Sequence, residues 1–395
     1  MGISTQIKTM EEARQKGLRH FTPLDFDTAV MRLQSYFEAV AQEVRLLTAS
    51  LGAEKLQDLV GRADLLEQVR AQEKIDLSAM LQAAPLHTRL ELEPGVGRLL
   101  TRPRNSLTRL MSELILDTIS DDEQEVTYQD EVMAYDRALG SRLAGELTRR
   151  PQLTGEVQCL HLRFGPSSVA GNGFAAWVND PVDVLIEGGA QDGVAKGASG
   201  GRVAVMKGLN HEGLRIDGSV GKSFAYGAQG GVFLVQGDAD SRACIRLSGA
   251  SVVLAGEIKQ PLDDSSGSMG THANLKGFAC EYMTSGEVLI LGDPGPYAFA
   301  GMTGGVVYQK LTPEMGFDLA ALRRRLAQGA HVEIQSLTHH DVGDVKRLLG
   351  YFIKALDQTH QYEEGERMRG LCEESAVLAW FVKVIPSTTE SLHRL

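Results

Sequence analysis

The chain has 395 residues, 43% hydrophobic and 23% charged, the composition of an ordinary folded globular protein long enough for two or three structural units. A formal net charge of −11 argues against nucleic acid or an anionic membrane surface as a partner. No apolar run of 18 residues and no apolar signal core occurs, and Gln6 spoils the Met1-Gly2 myristoylation pattern. The four cysteines, Cys159, Cys244, Cys280 and Cys372, form no C-x-x-C pair. They are read as buried, reduced thiols of a cytoplasmic protein rather than as zinc or iron–sulfur ligands.

Residues 1–150 read as a helical linker region. Thr22 is expected as an N-cap, with Pro23 at the first helical position, Asp25 in the positive first turn and Phe21 and Phe26 spaced for a hydrophobic staple. Val30, Leu33, Phe37, Val40, Val44 and Leu47 then recur at helical spacing and place one apolar stripe along the helix. The stripe is read as packing on the chain's own helices, with a docking face for a partner subunit as the alternative. Asp121-Asp122-Glu123 is expected to open a further helix, because acids suit a helix N-terminus.

Residues 151–310 change character. Val157 to Phe164 is the first strand candidate, and Phe174 to Trp177 and Val182 to Ile186 follow. From Gly193 to Tyr308 one short unit is written five times: Gly197–Val205, Gly227–Val235, Leu247–Leu254, Met283–Ile290 and Gly301–Tyr308. Aligned on Gly201, Gly231, Ala250, Gly286 and Gly305, the steps are 30, 19, 36 and 19 residues, so the repeat is 19 with insertions in the longer steps. The candidate structural turn residues are Gly197, Gly200, Gly201, Gly227, Gly230, Gly231, Gly249, Gly286, Gly301, Gly304 and Gly305. Each small-residue turn feeds a short β-branched or apolar strand that can bury its face only by stacking on its neighbours. The fold class expected is mainly β, a right-handed parallel β-helix flanked by helical segments. A sandwich would need hairpin turns such as Asn-Gly between alternating strands, and none is expected in the repeats from Gly193 to Tyr308. The 36-residue step carries an insertion at 259–276 whose polar centre, Asp263 to Gly270, reads as a mobile, tolerated surface loop. Residues 311–395 form a helical tail, with helices expected at Asp318 to Leu326, Asp341 to Leu356 and about Glu364 to Trp380, the second capped by Thr338 and Asp341.

Two phrases in the repeats carry a family resemblance: Cys280-Glu281-Tyr282-Met283-Thr284-Ser285-Gly286 and Ala300-Gly301-Met302-Thr303-Gly304-Gly305. They resemble the glycine-rich C-terminal β-helix domain of the glutamate synthase large subunit. Leu56 to Leu66, Asp136 to Glu146 and Phe381-Val382-Lys383-Val384-Ile385-Pro386 are similar to other parts of that C-terminal region, so the likeness runs from Gly2 to Pro386. Gly2-Ile3-Ser4-Thr5-Gln6 resembles the stretch just after the family's iron–sulfur cysteines. The resemblance implies an assembly in which ammonia from a cysteine amidase reaches an FMN barrel. It implies FMN and the iron–sulfur cluster on a partner chain, with none of the ligands on this one.

Other motifs are weaker. Gly221-Lys222-Ser223 ends like a phosphate loop, but Ile216 stands where the first glycine is required. Gly171-Asn172-Gly173 fits the loose dinucleotide pattern without a strand–helix unit around it. His339-His340-Asp341 lacks the spacing of a helical metal site. The acids Asp192, Asp217, Asp238, Asp240, Glu257, Asp263, Asp264, Glu281 and Asp293 would suit glycoside cleavage if paired, but no aromatic sugar platform accompanies them. Glu281 and Tyr282 are read as packing over a turn, with an interface as the alternative. No catalytic, cofactor or metal residue is expected. The expected role is a non-catalytic structural component bracing an amidase and a flavin subunit. An independent scaffold or regulatory protein is the alternative, and a β-helix hydrolase the least favoured reading.

Overall fold

The computed structural model describes residues 9–11, 25–70, 72, 75–82, 106–119, 125–156, 158–264 and 269–387. The chain divides into two compact units, Met1–Arg102 and Pro103–Leu395. In the first, helix α1 spans Phe26–Ser50. Asp25 is its N-cap and accepts from the Thr28 amide at 3.0 Å; Phe21, Thr22 and Pro23 lie outside the described residues. Val30, Phe37, Val40 and Leu47 are exposed, and Leu33 and Val44 half-buried. The expected packing of this stripe on neighbouring helices is therefore not found among the described residues.

The second unit is organised by one ten-stranded sheet. Its strands are β1 (Glu125–Asp130), β2 (Cys159–Ala170), β3 (Val182–Ala190), β4 (Ser199–Met206), β7 (Gly230–Val235), β8 (Ser248–Leu254), β9 (Ser285–Ile290), β10 (Val306–Lys310), β12 (Phe381–Pro386) and β11 (Val332–Ser336), in that spatial order. From β1 to β10 every neighbour is parallel, whereas β12 runs antiparallel to both β10 and β11. Val203 lies opposite Phe233, Phe233 opposite Val252, Val252 opposite Val288 and Val288 opposite Val307, the 30, 19, 36 and 19 spacing of the sequence repeat. Asp121–Glu123 lie outside the described residues, and strand β1 follows them where a helix was expected. Phe174 to Trp177 form a turn, not a strand.

Alternate residues of these strands serve two cores. Val184, Val203, Phe233, Val252, Val288 and Val307 are buried on one face. Ala204, Leu234, Val253, Leu289 and Tyr308 are buried on the other, against Val345, Leu348, Leu349 and Phe352 of helix α7 (His339–Gln358). A strand buried on both sides reads as a continuous apolar run, which hides its alternation in the sequence. α7 begins with the expected capping box between Thr338 and Asp341. α6 (Leu319–Arg325) is capped by Asp318 as its sequence suggests. The last expected helix is in fact two, α8 (Tyr362–Leu371) and α9 (Glu374–Trp380), broken at Cys372–Glu373. At the other end of the unit lie α2 (Ser106–Ile119), α3 (Ser141–Arg149) and α4 (Pro151–Glu156).

Between strands the chain returns through two further stacks. Ala190, Val220, Ala239 and Leu275 form a column of single parallel bridges. Beside it are six turns in which every second residue is left-handed. They are Gly173-Ala175-Trp177, Gly193-Ala195-Gly197, Ser223-Ala225-Gly227, Arg242-Cys244-Arg246, Phe278-Cys280-Tyr282 and Tyr297-Phe299-Gly301, all with φ between 52° and 78°. Successive amides consequently point up and down the stack. The Ala195 N–H donates to the Phe174 carbonyl of the turn before at 3.0 Å, while Gly193 and Gly197 donate to Lys222 and Tyr226 of the turn after, each at 2.8 Å. The inner turns are thus zipped to both neighbours.

Both long steps bulge from the same corner, between a strand's end and the bridge column. In the 30-residue step the excursion is an antiparallel hairpin, β5 (Gly208–Leu209) with β6 (Arg215–Ile216), so the repeat region is not free of hairpins as expected. In the 36-residue step it contains α5 (Met269–His272). Asp264, expected on a mobile loop, is bound by Arg324 at 2.9 Å and by both arms of Arg325.

Cys244 and Cys280 are fully buried in adjacent turns and hydrogen-bonded to each other, and that contact together with burial pushes the Cys244 thiol well above its ordinary range. Thiolate is the reactive species. In the native protein Ellman's reagent is therefore expected to reach no more than Cys159 and Cys372, which are half-buried, with Cys244 and Cys280 titrating only after unfolding. Mass mapping of alkylated peptides checks it.

Candidate functional site

Two surfaces of the second unit gather side chains capable of recognition or chemistry. The first is a hollow of ≈730 Å³ where the helical cover of the sheet stops, lined among others by Thr127, Gln129, His161, Arg163, Glu187 and Gln358. β1, β2 and β3 present polar residues to this hollow. Asp183 is the hub: Arg163 Nη2 lies 2.5 Å from Oδ2, Arg202 Nη1 2.8 Å from Oδ1 and His161 Nδ1 3.1 Å from Oδ2. Burial raises the Asp183 carboxyl, but the Arg202 and Arg163 guanidiniums outweigh it and hold the carboxyl below the usual range. Burial pushes the nearby Cys159 thiol up.

Cys159, His161 and Asp183 bring three ligand atoms within 4.8 Å of one another. Arg163 Nη2, however, stands 2.7 Å from His161 Nδ1 and also on Asp183, where a cation would have to sit. The guanidinium supplies the positive charge a metal would bring, so the cluster is a cross-strand ion network tying β2, β3 and β4 together. A group whose folded pKa is depressed stabilises above its unfolded value, about 3.9 for Asp, and loses that contribution as pH falls through the folded value. Asp183→Asn is accordingly expected to be less stable than the parent by a constant margin from pH 8 to 5, the margin closing below about pH 4. Urea midpoints measured across that range test the sign.

The second surface is the outer edge of the stacked turns. Lys196 stands over the Tyr226 ring at 5.2 Å, Arg242 over Phe278 at 5.7 Å and Arg246 over Tyr282 at 5.9 Å. Of the glycines singled out above, Gly197, Gly227 and Gly301 occupy the third left-handed position of their turns. Gly200, Gly201, Gly230, Gly231, Gly249 and Gly286 lie in the first residues of strands β4, β7, β8 and β9, and Gly304 and Gly305 just precede β10. There the register shifts, between Ser199 and Arg202 and again between Ser248 and Ser251. Tyr282 lies against Gly301, where an added Cβ would come within 2.5 Å of its ring. The Glu281 carbonyl accepts from the Arg246 amide at 2.7 Å. The alternating left-handed positions were missed because Trp177, Arg242, Phe278 and Tyr297 give no glycine signal.

The remaining motifs do not assemble into sites. In Gly221-Lys222-Ser223 the three amides are already bonded, to Ala190 O, Asp192 Oδ1 and Ser241 O, leaving no nest for a phosphate. The amides of Gly171 and Gly173 donate to Asp136 and Asp192 carbonyls. His339 contacts Glu374 at 2.5 Å, while Asp341 bonds Thr338 and Lys383. Asp217, Asp238 and Glu257 share a cavity of ≈130 Å³ in which burial raises the Asp217 carboxyl, but Glu257 is engaged by Arg367 at 2.6 Å.

A parallel sheet cornered by alternately left-handed turns defines a repeat-built domain class, and comparison with known proteins identifies the family. The model of the GXGXG motif family matches residues 108–387, and the chain belongs to that family. It is 32% identical over 318 residues to the ferredoxin-dependent glutamate synthase 2 of Arabidopsis thaliana, covering 77% of this chain and 18% of that protein. It is 31% identical over 403 residues to the NADH glutamate synthase of Schizosaccharomyces pombe, covering 98% of this chain and 16% of that one. The chain thus spans less than a fifth of the length of these relatives. Among the described residues no helix is long and apolar enough to cross a membrane.

Proposed function

We propose that this chain is the non-catalytic structural part of a glutamate-synthase-like assembly, a rigid parallel β-helix that holds an amidase and a flavin unit in register. The observation that carries the reading is the match of residues 108–387 to the GXGXG family together with the glutamate synthase relatives. The β-helix reading is supported by three parallel stacks: the sheet, the bridge column and the zipped turns. Bracing matters because a channelled intermediate escapes if its source and acceptor separate, and misplacing reacting groups by ~1 Å can cost ~100-fold in rate. On this reading the three-part division, 1–150, 151–310 and 311–395, follows linker, solenoid and tail.

FMN and the iron–sulfur cluster belong, in this proposal, to partner polypeptide in the cytoplasm. The cysteines fit that assignment: Cys159 is on β2, Cys372 closes α8, and Cys244 and Cys280 lie inside the turn stack, whereas a cluster needs about four converging thiolates. The purified chain is expected to be colourless and without glutaminase activity. Co-expression with the amidase and flavin polypeptides of its own genome should yield a copurifying complex; recovery of the chain without either would refute the proposal.

A further inference from the structure

We propose that the outer edge of turns four to six, built from Arg242, Arg246, Phe278, Tyr282 and Tyr297, is a docking surface for a carboxylate-bearing protein surface. The inference rests on reading the chain as one part of a larger assembly and names the contact it makes. All five residues are left-handed, with φ between 54° and 66°. An L side chain there is strained relative to the right-handed form, whereas glycine is nearly free of that strain. Earlier turns fill the first column with Gly173, Gly193 and Ser223 and the third with Trp177, Gly197 and Gly227, so the stack accepts glycine at either point and does not require bulk there. Tyr282 and Tyr297 do little for the core either, being 49% and 56% exposed. Strain kept at an exposed position points to use by something outside the fold.

The geometry is pre-formed. Phe278 and Tyr297 stack at 5.1 Å and 22°, with Arg242 over Phe278, and Arg246 covers Tyr282, which itself rests on Gly301. Ordered side chains lose little freedom on binding, and exposed Tyr and Arg are the residues that dominate interface energies. Among the described residues neither guanidinium is engaged by a carboxylate. Both are free to take one, with the bidentate geometry that Arg and a carboxylate share. A second copy docked symmetrically would set Arg against Arg, and a chain of net charge −11 repels nucleic acid. The occupant that fits is a different protein surface, or another domain of a longer polypeptide, presenting Asp and Glu.

The test places the photo-crosslinker p-benzoylphenylalanine at Tyr282 or Tyr297 of the full chain in cells, with Tyr362 on α8 as an equally exposed control. Adducts at 282 and 297, absent at 362, should map to Asp- or Glu-rich peptides. They should fall about tenfold, the factor for ~1.4 kcal/mol, in R242E/R246E at unchanged melting temperature. Adducts on amidase or flavin polypeptide would support both the surface and the assembly. Adducts on acidic segments of another protein, lost in R242E/R246E, would support the surface, with copurification still deciding the assembly. No protein adduct, self-adducts alone, nucleic acid adducts, or adducts indifferent to R242E/R246E would overturn the surface, while copurification of the unmodified chain still decides the assembly.

Discussion

Arg325→Met is expected to destabilise the second unit by about 3–5 kcal/mol, the range for leaving a buried charge without its partner. Arg325 is buried at the end of α6 and reaches Asp293, also buried, at 2.8 Å, with Asp264 on its other arm. Burial works against the Arg325 charge, but its bonds to Asp293 and Asp264 more than reverse that and raise its pKa. Met keeps much of the stem's volume, so the loss reports mainly the stranded Asp293. Asp264→Asn removes only the partner nearer the surface and is expected to cost about 1 kcal/mol. It also frees the 259–276 excursion, so protease should cut there first. Urea unfolding with an unchanged slope and a lowered midpoint checks the first result. A midpoint within error of the parent would show that the network contributes nothing.

Gly231→Ala is expected to cost about 2–5 kcal/mol, combining left-handed strain with overpacking. Its φ is +98°, and a Cβ there would lie 2.6 Å from the carbonyl oxygens of both Gly200 and Gly201, backbone that cannot move aside without opening the β4–β7 ladder. Gly227→Ala is the matched control. Its φ is +63°, nothing lies within 4 Å of the added carbon, and Trp177, Arg246 and Tyr282 already stand in its column. It should lose only about 1 kcal/mol. Calorimetric melting of the pair separates space from strain; equal losses would mean the collision is relieved by a backbone shift.

The sheet register was legible because small residues mark the start of each strand: the steps between Gly201, Gly231, Ala250, Gly286 and Gly305 recur as cross-strand partners. The end strands were not. β1 is flanked by acids that read as a helix start, and Phe381 to Pro386 joins the sheet antiparallel through pairing no local pattern announces. The docking of α7 was hidden for a different reason. Ala204, Leu234, Val253 and Leu289 sit in runs apolar on both faces, so period two is lost. At the candidate sites, Asp183 meets His161 and Arg202 only across neighbouring strands, and Arg325 stands in an Arg323-Arg324-Arg325 run that looks like solvated charge at a helix end. The cationic–aromatic edge was invisible for a conformational reason. Left-handed backbone held by Arg, Phe and Tyr is dictated by the stack around it, not by the residues themselves.

That both long steps depart from one corner makes the stack extensible along a single seam. A turn zipped above and below by its own amides has no room for an extra residue, and a strand in register has none either. The hairpin tip at His211–Gly213 is where the chain already spills outward, with His211 in solvent and an added Cβ at Gly213 meeting nothing within 4 Å. A peptide tag or fluorophore spliced there would ride on the outside while the rungs keep their order. The same graft at Gly227 would unzip two of them.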